Sequence, residues 1–271
     1  MGRNITLPPA VPELPEVEFY RRLVESAGLG RRVAKVEALD PRYLRGGGDA
    51  AELSAALEGS TFARARRIGK LALLDTDRGH TLGLHFGMTG TLIIDEMSSV
   101  VSLMYSSPRL EPAWERFVLR FVDGGRLVMR DPRRFGRIEL DPDEGRLGLD
   151  LLQLTPSALA RVLAESAAPL KARLLDQARL AGAGNLIADE ALWRAGLDPA
   201  RPAGSLSPAE LRRLHRHLLA TTRDFLANGG SHTGLLLPHR RRGGRCPRDG
   251  AVLQQRTVGG RTTWSCPLHQ R

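Results

Sequence analysis

The chain has 271 residues, 42% of them hydrophobic, which is enough for one large domain or two smaller ones with cores of their own. A formal net charge of +10, spread along the chain without a long Lys/Arg block, points to a polyanion held on a folded basic surface and argues against a disordered basic tail. No stretch of about 18 apolar residues marks a membrane span, the first residues lack the apolar core of a signal peptide, and two cysteines are too few for a secreted disulfide scaffold, so a cytoplasmic protein is expected.

Near the amino end, Pro12 to Glu18 reads PELPEVE. Pro15 suits the first position of a helix, and Val17, Tyr20, Val24 and Ala27 recur at helical spacing until Gly28 and Gly30. Glu13, Glu16 and Glu18 can be acids that complement the helix dipole. They can also belong to a site built around Pro12. A mature N-terminal proline would carry a secondary amine with a pKa of roughly 7.7 to 8.0, a nucleophile able to form an iminium at a sugar's anomeric carbon while a neighbouring carboxyl group moves protons. Eleven residues precede Pro12. Of the 40 basic residues only Lys35, Lys70 and Lys171 are lysines, a bias typical of GC-rich coding sequences, in which GTG start codons are frequent. Residues 1–11 are therefore expected to be a mis-annotated leader, with translation starting at Val11.

Alternating runs then follow at Arg32 to Leu39, Thr61 to Asp75 and Thr81 to Ile94, and Phe117 to Val122 with Arg126 to Met129 flank a hairpin signal at Asp123, Gly124 and Gly125. Closely spaced strands of this kind predict a β-sandwich. Residues 97–112 carry little pattern and read as a loop. Three segments stand out in this half: Lys70 at the end of RRIGK, HFGMTG from His85 to Gly90, and DPRRFGR from Asp131 to Arg137, which sets Phe135 among arginines. A lysine that survives in so arginine-rich a chain suggests a need for a compact charge.

The second half turns helical. Asp141 to Asp150 reads as a linker, Thr155 caps a helix that has Pro156 at its first position, and Pro169 opens another that carries Lys171. In LAGAGNLIADEALWRAGL, Asn185 falls at a helix start, where free N–H groups suit a phosphate. Ser207, Pro208 and Glu210 form a capping-box start to a long amphipathic helix that Gly229 and Gly230 close. The last 32 residues hold eight Arg against one Asp, a surface suited to phosphates. Cys246 and Asp249, then Cys266 and His269, stand as two pairs with the same two-residue gap.

In chain order these segments resemble the formamidopyrimidine-DNA glycosylase and endonuclease VIII family, from Pro12 to the C-terminus. The resemblance implies an α+β protein with an N-terminal β-sandwich over 12–140, a linker at 141–150, a helix-two-turn-helix domain over 151–230 and a finger-like hairpin over 231–271. It implies a bifunctional glycosylase and AP lyase acting on damaged double-stranded DNA as a monomer. Pro12 would be the nucleophile, Glu13 the acid and base, Glu16 a support, and Lys70 a contact to the phosphates of the damaged nucleotide. Met88, Arg133 and Phe135 would fill the gap left by an extruded base, and Lys171, Asn185 and Arg261 would bind DNA phosphates.

The family's zinc finger has four cysteines at the spacing of Cys246, Asp249, Cys266 and His269. Asp and His also ligate zinc, so a Cys, Asp, Cys, His site and a metal-free hairpin both remain open. The chain departs from the family in two further ways. Ile187 stands where Tyr is usual, and only fifteen residues separate Gly230 from Cys246, where members specific for 8-oxoguanine carry a longer loop over the base. A more open, less purine-selective pocket is expected. The rival reading is a non-catalytic protein that recognises damaged or structured DNA; a zinc-ribbon RNA-binding protein would leave PELPEVE unexplained.

Overall fold

The structure, a computed structural model, describes residues 12–38, 40–45, 49–100 and 111–271. The expected leader, Leu39 of the first predicted strand and residues 101–110 of the predicted loop lie outside these. The chain divides into two compact units: Glu16–Glu144 together with Pro12, and Gly145–Arg271 together with Glu13–Pro15.

The N-terminal unit is built on two sheets. One has the order β1 (Val33–Glu37), β7 (Glu115–Phe121), β8 (Arg126–Arg130), β6 (Thr91–Ile94). The other runs β2 (Leu44–Arg45), β9 (Arg137–Leu140), β5 (Thr81–His85), β4 (Leu71–Thr76), β3 (Phe62–Ile68). Helix α1 (Leu14–Ala27) contributes Val17, Tyr20 and Val24 to a core shared with both sheets, including Phe117, Leu119 and Met129 from one and Phe62, Leu74, Leu84 and Ile138 from the other. That shared apolar layer is the predicted sandwich. Helix α2 (Ala50–Leu57), capped by the Asp49 carboxylate on Glu52 N–H, adds Leu53 and Leu57.

Two predicted runs prove to be pairs of strands. Thr61 to Asp75 folds back at Gly69 and Lys70, so that β3 and β4 pair antiparallel from Ile68 opposite Leu71. Thr81 to Ile94 breaks after His85, and β5 and β6 pass into different sheets. Spacing by two continues from Phe86 through Met88 to Leu92, which hides the second break from a reading by periodicity. The hairpin at Asp123 to Gly125 joins β7 and β8 as expected, with Arg120 opposite Arg126.

In the C-terminal unit, the expected linker holds a short 3-10 turn at Glu144–Arg146 and the two-residue strand β10 (Leu149–Asp150), which pairs in parallel with β11 (Leu180–Ala181). The helices are α3 (Pro156–Leu163), α4 (Leu170–Leu174), α5 (Asn185–Ala195) and α6 (Pro208–Ala227). Thr155 caps α3 through Ala158 N–H, and Ser207 and Glu210 complete the capping box of α6. Helix α5 is buried along almost its whole length, with Leu186, Ile187, Leu192 and Trp193 among its buried side chains. The chain ends in the hairpin β12 (Gln254–Val258) and β13 (Arg261–Ser265), over a small core of Trp193, Leu236, Cys246, Leu253, Trp264 and Cys266. Among the described residues no helix is long and apolar enough to cross a membrane.

Candidate active site and DNA-facing surfaces

Glu13 is 2% exposed, and its two carboxylate oxygens accept from the N–H groups of Leu186 (2.7 Å) and Ile187 (3.1 Å), the second and third amides of α5. A helix start leaves such donors without intrahelical partners. The Glu13 carboxyl group supplies the acceptor from 173 residues away in sequence. Gly184, just before the helix, lies so close that a Cβ there would overlap the Glu13 carboxyl group. The glycine is therefore a steric requirement of this carboxylate cradle, and Glu13 and the LAGAGN stretch form one structure. Pro12 precedes Glu13 directly and is buried, as is Glu16, which is 0% exposed on α1.

Lys70 sits in the β3–β4 turn, half-buried. Met88 is half-buried in the segment between β5 and β6, while Arg133 and Phe135 are exposed in the loop before β9. The Arg133 guanidinium lies 4.6 Å from the centre of the Phe135 ring, a cation–π pair, and Phe135 keeps 49% of its surface exposed. At the end of β5, His85 is largely buried and accepts from Arg137 at 2.9 Å through Nε2; burial, then the nearby Arg137 charge, pushes its pKa down to about 3.

In the C-terminal unit Asn185 opens α5, its amide nitrogen donating to Thr262 O at 3.2 Å, and Arg261 is exposed at the start of β13. These two are brought together by Thr262. Lys171 is not presented as the resemblance implies. Its side chain is 0% exposed, its ammonium lies 2.6 Å from Asp189, and it donates to Thr262 O and Thr263 Oγ1. Burial pushes its pKa below the ordinary lysine range, with Asp189 opposing the shift. An ammonium so enclosed does not meet a phosphate at the surface; it anchors β13 to α4 and α5. Arg240, which opens the predicted basic tail, is likewise drawn in, 2.9 Å from Asp189.

The sequence reading missed Asp189 and its neighbour Glu190, which accepts from Leu235 and Leu236 N–H and from Arg194. Two adjacent acids between apolar residues in ADEALW were the available signal, since an all-round apolar helix is buried and its acids need partners.

The ligand atoms of Cys246, Asp249, Cys266 and His269 all lie within 4.8 Å of one another, the one such cluster among the described residues. Cys246 Sγ is 3.7 Å from His269 Nδ1, and Cys266 Sγ is 3.2 Å from Asp249 Oδ2. Tetrahedral zinc, with Zn–S of about 2.3 Å and Zn–N of about 2.0 Å, places neighbouring ligand atoms roughly 3.3 to 3.8 Å apart, so the donor set suits such an ion once the direct contact of 2.6 Å between His269 Nδ1 and Asp249 Oδ2 opens to admit it. Outer contacts agree. His269 Nε2 lies 3.2 Å from Trp193 O while its Nδ1 meets Asp249 Oδ2 at 2.6 Å, and Trp193 Nε1 and Arg248 N–H donate to Cys246 Sγ. Burial pushes the Cys266 thiol up to about 11, so coordination there needs a cation's charge to displace the proton.

Comparison with known proteins adds to this geometry. Residues 11–138 match the model of the formamidopyrimidine-DNA glycosylase N-terminal domain, and residues 147–235 that of the formamidopyrimidine-DNA glycosylase H2TH domain. The formamidopyrimidine-DNA glycosylase of Chloroflexus aggregans is 34% identical over 283 residues, covering 96% of this chain and 98% of that one. The Thermus thermophilus enzyme of the same name is 36% identical over 287 residues, with the same coverage. A crystal structure of Lactococcus lactis Fpg with DNA containing an oxidised pyrimidine superposes with a TM-score of 0.82 at 27% identity, covering 96% of this chain and all of the other.

Proposed function

The chain belongs to the formamidopyrimidine-DNA glycosylase family and is a DNA glycosylase of base-excision repair with the AP lyase activity typical of that family, and on that premise we propose that Pro12 is its nucleophile and Glu13 its acid and base. The observation that carries the assignment is the Glu13 carboxylate held by Leu186 and Ile187 N–H, because it fixes an acid on the residue next to the amine. The Pro12 nitrogen attacks C1′ of the damaged nucleotide, the base departs with a proton, and an iminium remains. Glu13 then moves protons at the deoxyribose while the 3′ and then the 5′ phosphate are eliminated. Glu16, buried on the first turns of α1, supports this end of the chain. Attack requires a free amine, so the acting form begins at Pro12.

On the DNA, Met88, Arg133 and Phe135 fill the space of the extruded base, and Lys70, Asn185 and Arg261 hold phosphates. An apolar wedge with a cation suits that task because unstacking costs a few kcal/mol and the orphaned partner base needs a neighbour. Cys246, Asp249, Cys266 and His269 would hold zinc, which would supply a structural tie between the hairpin that carries Arg261 and α5. The enzyme acts as a monomer in the cytoplasm on damaged duplex DNA. With few residues between Gly230 and Cys246 to cap a base, formamidopyrimidines, oxidised pyrimidines and abasic sites are processed at least as well as 8-oxoguanine.

The deciding experiment is borohydride trapping on duplexes that differ only in the lesion, using chains that begin at Pro12 and at Met1. Covalent capture by the first alone is expected. Absence of capture by the Pro12 form overturns the mechanism and leaves a DNA-binding protein. An 8-oxoguanine rate tenfold or more above the others, about 1.4 kcal/mol in barrier, overturns the lesion preference alone.

A further inference from the structure

The mechanism above leaves Asp131 without a role, although its carboxylate is wholly buried behind the stretches that carry Met88 and Arg133 to Phe135. Oδ1 accepts from Thr89 Oγ1 and from Arg133 N–H at 3.1 Å. Oδ2 accepts from Gly136 N–H at 2.7 Å and from the Tyr43 hydroxyl at 3.4 Å. A carboxylate offers about four lone-pair sites, and each one here meets a donor. Those donors come from three separate segments: the turn after β5, the loop before β9, and the short helical turn Pro41–Tyr43.

The surroundings hold the same parts together. Asp131 N–H donates to Trp114 O at 2.9 Å, and Asp131 O accepts from Arg116 Nε at 2.8 Å. Arg134, with φ of +57°, turns its side chain back to Asp40 at 2.7 Å. The two DNA-facing segments touch backbone to backbone: a Cβ on Gly87 would lie 2.7 Å from Gly136 N and overlap the Phe135 carbonyl.

We propose that Asp131 is a positioning residue for intercalation, tying the Met88 turn to the Arg133–Phe135 loop so that wedge and cation enter the duplex as one body. The proposal rests on the reading of those three side chains as the intercalating set. Its physical basis is that neither segment can shift without leaving a buried donor unpaired, and that segments ordered beforehand need no ordering when DNA binds. Asparagine does not substitute, because its NH₂ would face N–H and O–H donors.

The test compares Asp131→Asn and Thr89→Val with Met88→Ala and Phe135→Ala, all on the chain that begins at Pro12. Two readouts are used: stopped-flow fluorescence of 2-aminopurine beside a lesion in duplex DNA, which follows unstacking, and borohydride trapping on a single-stranded abasic oligonucleotide, where no duplex is opened. Asp131→Asn is expected to slow unstacking about tenfold or more and Thr89→Val about threefold, with single-strand trapping within about twofold of the parent. In a Met88→Ala/Phe135→Ala background, Asp131→Asn should add less than about twofold, the non-additivity of residues acting through one another. Equal losses on both substrates, or full additivity, overturn the proposal. If Met88→Ala and Phe135→Ala slow unstacking and Asp131→Asn does not, the role of Asp131 alone falls. If neither of those two slows it, the intercalation reading falls and takes the proposal with it. Should Asp131→Asn not fold, Thr89→Val decides by the same criteria.

Discussion

Each unit buries an aspartate behind residues assigned to DNA, and the two are satisfied by opposite means. Asp131 collects four neutral donors and no cation at its oxygens. Asp189 instead faces two cations, Lys171 at 2.6 Å and Arg240 at 2.9 Å, with Trp264 N–H at 3.5 Å. Four directional bonds fix the geometry of the loops around Asp131. The charge cluster around Asp189 joins α4, α5 and β13, and its worth lies chiefly in no member being left alone: a buried pair gains little over apolar packing, yet a buried charge without its partner is costly. On the proposed reading the first arrangement bears on how DNA is entered and the second on whether the unit stays folded.

The sharpest way to break that comparison is Asp189→Ala. It strands two buried cations, and a loss of about 3–5 kcal/mol is expected in urea unfolding of the whole chain at neutral pH. A loss under about 1 kcal/mol would show that Lys171 and Arg240 reach water, and the contrast between the two aspartates would collapse.

A second test bears on the N-terminal unit, where His85 lies next to the Met88 turn. The folded chain keeps His85 neutral down to about pH 3, whereas the unfolded chain takes up that proton near pH 6.5. The unfolded state therefore binds the extra proton between those values, and stability falls as pH drops through that window. At pH 4 the loss relative to pH 7 is at most about 3 kcal/mol from this group. His85→Gln, which retains an acceptor for Arg137, should show a visibly flatter fall between pH 7 and 4; parallel curves for parent and variant would remove His85 from the account.

Gly184→Ala probes the Glu13 cradle with no change of charge. Its Cβ would displace the carboxyl group from the Leu186 and Ile187 amides, so iminium trapping should fall about 100-fold, roughly 2.7 kcal/mol, while affinity for an uncleavable abasic-site analogue changes little. Trapping within about threefold of the parent would mean that the cradle does not set the acid's position.

What the sequence made legible here was local. Thr155 and Ser207 cap the helices they were expected to cap, because cap and amide lie within three residues. The Cys, Asp, Cys, His spacing led to a real cluster, since a hairpin brings two such pairs together. The illegible parts join distant segments: Glu13 to α5, Thr89 to Asp131 across 42 residues, and Trp193 to Cys246 across 53. The burial of Lys171 is illegible for a related reason. A lysine in a pair and a lysine on a surface are the same letter, and only Asp189, eighteen positions on, tells them apart.

That distinction yields the smallest and most discriminating effect. A cation that neutralises a phosphate releases counterions, so the slope of log K against log salt changes by about 0.9 for each contact removed from B-DNA. Lys70→Ala and Arg261→Ala should each flatten the slope by about that amount and weaken binding without changing lesion preference. Asn185→Ala should weaken binding a few-fold and leave the slope alone, because a neutral amide releases no counterion. Lys171→Met, which leaves Asp189 paired with Arg240, should also leave the slope unchanged. Anisotropy titrations of an abasic-analogue duplex between roughly 50 and 200 mM salt resolve these cases. If Lys171→Met flattens the slope as Lys70→Ala does, its ammonium reaches a phosphate, and the buried cluster opens when DNA binds. If Lys70→Ala leaves the slope untouched, the charge at the β3–β4 turn serves the protein's own fold and the phosphate contact must be sought elsewhere.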